Sequence, residues 1–60
     1  MNEDIRAYAK VKKVKLWQIA DALGISDAQL SRKMRYELDV SSKREIMEHI
    51  DRIVARRQSA

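Results

Sequence analysis

The chain has no cysteine, no proline, no phenylalanine and one glycine among its 60 residues. Without cysteine there is neither a disulfide nor a thiolate metal site. The single histidine, His49, cannot build a zinc site alone. With Gly24 the only backbone breaker, most of the punctuation that strands and tight turns require is missing. No run of about 18 apolar residues occurs, so no membrane span is expected. The first residues, Met1-Asn2-Glu3-Asp4, are acidic and lack the apolar stretch of a secretion signal. A reducing, cytoplasmic location is therefore the expectation. Paired carboxylates, a phosphate-binding loop and a nucleophile constellation are also missing, which argues against an enzyme, a cofactor or a small-molecule substrate.

What is present suits one small helical domain, residues 1–60. Hydrophobic residues make up 45% and charged residues 37%, too apolar for a disordered tail. A chain of this length buries only about 60% of its unfolded surface, so its stability margin is thin. The net charge is +4 and unevenly spread. Lys10, Lys12, Lys13 and Lys15 form one acid-free cluster, and Arg32, Lys33 and Arg35 a second. Arg52, Arg56 and Arg57 form a third. Segregated basic clusters favour a polyanion as partner. The plainer alternative is a solvated surface of mixed charge.

Periodicity predicts an all-α bundle of four short helices, at about 2–12, 15–23, 26–35 and 42–57, without an internal repeat. Asn2 reads as the N-cap of the first helix, with Glu3 and Asp4 in its first turn and Ile5, Tyr8 and Ala9 on its inner face. With no glycine at its end, Lys13 is expected to take the left-handed capping conformation and Val14 to fold back. Leu16, Ile19, Ala20 and Leu23 form the buried face of the second helix, with Trp17 at its border. Gly24 supplies the positive φ of the next turn, and Ile25 returns to the core. Ser26 and Gln29 fit a capping box for the third helix, whose inner face carries Leu30 and Met34. Leu38 and Val40 are expected to cover the core edge, and Ser42 with Glu45 to form a second capping box. Ile46, Met47, Ile50, Ile53 and Val54 stripe the last helix, and residues 58–60 are expected to fray.

Two short helices around Gly24 have the layout of a helix-turn-helix, whose second helix enters the DNA major groove. Ala20 is small where the two helices approach, Gly24 makes the turn, and Ile25 and Leu30 pin the second helix to the first. The ordered set Ile19-Ala20, Leu23-Gly24-Ile25-Ser26 and Leu30-Ser31-Arg32 resembles the lambda-repressor-like, or Cro/XRE-type, DNA-binding domains. The specific match spans roughly a third of the chain. The chain departs from that pattern at Lys15-Leu16, at Lys33 and at Tyr36-Glu37-Leu38, and it has four expected helices where many relatives have five. The resemblance implies a sequence-specific, repressor-like regulator binding double-stranded DNA, with phage or mobile-element associations. It also implies base contacts from the region of Ser26, Asp27, Ala28, Gln29, Ser31 and Arg32.

Chemistry sorts these residues. Arg32 can grip guanine with two hydrogen bonds and Gln29 can do so with adenine, with Ala28 and Ser31 as further base contacts. Gln29 is equally explained by the capping box alone. Asp27 suits the helix dipole better than a phosphate. Lys15, Gln18, Lys33, Arg35 and Lys43 suit phosphates, which position a protein without reading sequence. The alternative is a protein-interaction module of the same shape, its partner or a second copy meeting the stripe of helix 42–57. A membrane-surface role fits the short capped helices least.

Overall fold

A computed structural model of the chain describes residues 1–59. Four helices follow one another: α1 (Glu3–Val11), α2 (Leu16–Leu23), α3 (Asp27–Lys33) and α4 (Val40–Ser59). Among the described residues there is no strand, and no helix is long and apolar enough to cross a membrane. The all-α bundle read from periodicity is the fold. Helix α4 is its longest member and α2 packs on it, as does α1, while α3 packs on α2.

The core is built from one or two residues per helix turn. Ile5, Ala9, Val14, Ile19, Ala20, Leu30, Met34, Ile46 and Ile50 are buried. Tyr8, Leu16, Leu23, Ile25, Leu38, Met47, Ile53 and Val54 are partly buried around them. One position expected to cover the core edge and one expected at the border of the apolar face are more exposed than that. Val40 is 72% exposed, because it opens α4 instead of closing the connector before it. Trp17 is 54% exposed and stands on the surface.

Both α1 and α2 end in the same way. After α1, Lys13 takes the expected left-handed conformation, with φ of 58°. The Lys13 N–H donates to the Lys10 carbonyl at 3.1 Å, and the Val14 N–H to the Ala9 carbonyl at 2.8 Å. After α2, Gly24 has φ of 74°. The Gly24 N–H donates to Asp21 at 3.1 Å and the Ile25 N–H to Ala20 at 3.0 Å. Each is a Schellman closure, in which a left-handed residue satisfies the last carbonyls of a helix. A Cβ on Gly24 would meet nothing within 4 Å. The glycine is there for its backbone angle and not for want of space.

The element ends bring four corrections. Asn2 stands at the N-cap position of α1, where its carbonyl accepts the Arg6 N–H at 3.0 Å, but it is left-handed, with φ of 57°, and its side chain makes no cap bond. It is 1% exposed. Its amide nitrogen donates to the Met34 carbonyl at 3.0 Å and to the Tyr36 carbonyl at 2.8 Å. Its amide oxygen accepts from the Leu38 N–H at 2.9 Å. The side chain thus clasps the connector that follows α3. Asparagine tolerates the left-handed region better than most residues, which lets it serve here. Helix α3 ends at Lys33, so Arg35 lies beyond it and not in its last turn. Helix α4 begins at Val40, two residues before Ser42. Asp39 stands immediately before it and its carbonyl accepts the Lys43 N–H at 3.0 Å. Its carboxyl is held below the ordinary range by the Ser42 hydroxyl and by the N–H groups of Ser42 and Ser41, against a smaller opposing effect of burial. The predicted Ser42–Glu45 capping box is therefore replaced by Asp39. Finally, Gln58 and Ser59, expected to fray, are helical and continue α4. Ala60, expected to fray with them, lies outside the described residues.

Candidate nucleic-acid interface

Helix α3 is supported from one side only. Leu30 is the one buried residue of the seven, and Asp27, Ala28, Gln29, Ser31, Arg32 and Lys33 are exposed. Its N-terminus carries the predicted capping box. The Gln29 N–H donates to Ser26 Oγ at 3.2 Å, and the Ser26 N–H donates to Gln29 Oε1 at 3.0 Å. These reciprocal bonds occupy the oxygen that Gln29 would need to grip an adenine with two bonds. Its amide nitrogen remains as a donor.

Ala28, Ser31, Arg32 and Arg35 line one shallow depression on the outer side of α3. Four of the residues selected from sequence therefore meet at one surface. Arg35 joins them from beyond the helix end, where its N–H donates to the Arg32 carbonyl at 3.3 Å. Lys33 is exposed at the last position of α3.

Ser31 also borders a second, larger groove of about 680 Å³. Arg6 and Lys10 of α1 line this groove, with Lys13 and Lys15 from the turn between α1 and α2. Val14, Leu16 and Trp17 supply apolar surface to it, and Asp27 stands at the α3 side. Lys15 thus shares a groove with Asp27 and Ser31 of α3. Trp17, Lys13, Lys10 and Arg6 were not among the selected site residues. The i, i+4 spacing of Arg6 and Lys10 on α1 was the available signal.

Gln18 and Lys43 are occupied elsewhere. The Gln18 Oε1 accepts from the Lys15 N–H at 2.9 Å and from the Arg57 guanidinium at 3.2 Å. Lys15 has no side-chain oxygen, so only half of a capping box exists there. Lys43, selected as a phosphate contact, has its ammonium 3.1 Å from Asp4 and hydrogen-bonded to Glu37. Glu37 in turn accepts from the Asn2 N–H at 2.9 Å. The Lys43 ammonium holds both Glu37 and Asp4 below the ordinary carboxylate range, and the two acids raise Lys43. Lys43 braces the Asn2 clasp, and a phosphate would have to displace two carboxylates to reach it. Among the described residues no group of three or more His, Asp or Glu side chains is arranged to hold a metal ion.

No family model, no curated protein and no solved structure matches this chain.

Proposed function

We propose that the chain binds double-stranded DNA through α3, as a sequence-specific, repressor-like regulator. One observation carries the reading. A two-turn helix with six exposed residues stands behind the Gly24 turn, and Ala28, Ser31, Arg32 and Arg35 share one surface on it. An α-helix with its side chains is about 10–12 Å across, comparable with the major groove's width of about 12 Å. The chain's α2–turn–α3 unit has the connectivity of a helix-turn-helix, and the resemblance of residues 19–32 to Cro/XRE-type domains points the same way. Arg32 reads a guanine, with Ser31 and Ala28 beside it. Gln29 contributes its amide nitrogen while capping α3. Lys15, Lys33 and Arg35 hold phosphates. Gln18 and Lys43 act inside the fold.

Helix α4 supplies the frame. Ile46 and Ile50 are buried, and Met47, Ile53 and Val54 are half-buried against the core. Its apolar stripe is thus largely spent within the chain, which leaves a partner surface on α4 without a specific observation in its favour.

The deciding experiment is selection of bound duplexes from a random pool, followed by titration of the selected site. Arg32→Ala is expected to weaken the selected site by about 1–3 kcal/mol and relax one base position. Lys15→Ala is expected to weaken all duplexes alike and lower the salt slope by about one. A pool that yields no bound duplex at low salt overturns the reading.

A further inference from the structure

The groove beside α3 has a composition that a phosphate backbone does not account for. Its lining includes four cations: Arg6 and Lys10 of α1, Lys13 of the turn that follows, and Lys15 just before α2. It also includes apolar residues, Ala9, Val14, Leu16 and the exposed Trp17. A sugar-phosphate chain would pair with the cations and leave the apolar lining without a partner. A ligand that satisfies both has an apolar strip flanked by negative charge.

We infer that this groove docks an acidic amphipathic helix of a partner protein. Charge complementarity sets the sign of the partner, since four cations stand around the groove against the single carboxylate of Asp27. The apolar part of the lining sets its form, because anchors at i, i+3, i+4 and i+7 are how a helix fills such a groove. A single-stranded nucleic acid is the lesser fit: stacking successive bases needs several aromatic faces, and Trp17 is the chain's only tryptophan. A helix in the groove would lie against Lys15 and Ser31. Docking and duplex binding therefore exclude one another, a consequence that rests on the DNA reading above.

Trp17 reports directly on the groove. The probe is a synthetic 14-residue peptide with leucines at i, i+3, i+4 and i+7 and glutamates elsewhere. It is expected to shift Trp17 fluorescence saturably, with a Kd of about 1–100 μM. Replacing its glutamates by glutamines, or its leucines by serines, is expected to weaken binding at least about ten-fold. Arg6→Glu combined with Lys10→Glu, both exposed positions on α1, is expected to do the same with an unchanged thermal transition. The inference is overturned by absence of a saturable shift, by equal binding of either control peptide, or by an unaffected double variant. It is also overturned if a 14-nucleotide oligo-dT produces the shift and the peptide does not. This titration contains no duplex, so it stands apart from the DNA reading. In a second titration the peptide is expected to displace a selected duplex. Simultaneous binding of both removes the exclusion and with it the regulatory role.

Discussion

The junction from α1 to α2 and the junction from α2 to α3 are the same turn built twice, eleven residues apart. Ala9 and Ala20 are buried and accept the closing bond; Lys13 and Gly24 are left-handed; Val14 and Ile25 turn back toward the core. Lys15 and Ser26 are then extended, with φ, ψ of −90°, 155° and −81°, 161°. Gln18 and Gln29 each accept the N–H of that extended residue, and Ile19 and Leu30 are buried just after. Only the alanine and glutamine repeat in identity, which is why no repeat was legible from the letters.

The two copies differ in how they are held. The second uses residues suited to each position: glycine where φ is positive, serine where an N-cap oxygen is required. The first has lysine at both places. Its compensation comes from α4, where the Arg57 guanidinium donates to the carbonyls of Lys12 and Lys13 at 3.3 and 2.8 Å and to Gln18 Oε1. One turn is specified locally. The other is completed by a side chain more than forty residues away. The self-sufficient one carries α3, the helix to which function is assigned.

The largest test extends this contrast to the far end of α3, which is held entirely from a distance. Asn2→Ala would leave the Met34 and Tyr36 carbonyls and the Leu38 N–H without their partner. A loss of about 2–3 kcal/mol is expected in urea unfolding, with Tyr36–Leu38 amides exchanging faster. A loss below about 0.5 kcal/mol would break the claim that the clasp matters. Next, Gly24→Val puts a β-branched residue at φ of 74° and is expected to cost about 1–2 kcal/mol, although its side chain has room. If valine is tolerated there, the turn does not depend on backbone angle.

Lys13→Gly should act in the opposite direction. It removes the strain of a branched-Cα residue at φ of 58° and is expected to stabilise by up to about 1 kcal/mol. Arg57→Ala is expected to destabilise by about 0.5–1 kcal/mol. A double-mutant cycle between the two sharpens the comparison, because the brace is expected to matter less once the turn is relaxed. Strict additivity would separate Arg57 from the strain at Lys13.

Acid gives the smallest effect, since the groups concerned are exposed. The Lys43 ammonium depresses both Glu37 and Asp4, and the Ser42 hydroxyl depresses Asp39. A carboxyl depressed in the folded state contributes stability above its unfolded value, and that contribution is lost as pH falls through the folded value. The unfolded values are 4.5 for Glu37 and 3.8 for the two aspartates. The urea midpoint is therefore expected to fall as pH drops below about 4.5. Lys43→Ala should flatten that profile and leave both repeated turns intact.

Much of the bundle was legible because its signals are local. The apolar spacing of Ile19, Ala20 and Leu23, the glycine after them and the Ser26–Gln29 pair each act within a few residues. The left-handed Lys13 was legible by elimination, since a helix had to stop where no glycine stood. The start of α4 was misjudged because Asp39, Ser41 and Ser42 all suit a cap, and local chemistry does not rank them. Of the site residues, Ala28, Ser31, Arg32 and Arg35 do share a surface. Gln18 and Lys43 share the chemistry of phosphate ligands, but Arg57, Asp4 and Glu37 reach them first.

The sequence by itself determined four helices, their inner faces and the turn before α3, because a helix period and a capping residue act over one or two turns. Only the tertiary structure decided what Asn2, Arg57 and Lys43 do. Their partners lie roughly 30 to 45 residues away, apart from Glu37 beside Lys43. Such pairs form only after the helices have packed, when a polar side chain bonds whichever unpaired group the fold has brought within reach. The same packing brought Arg6 and Lys10 of α1 together with Trp17 of α2 around one groove beside α3, lined by both basic and apolar residues.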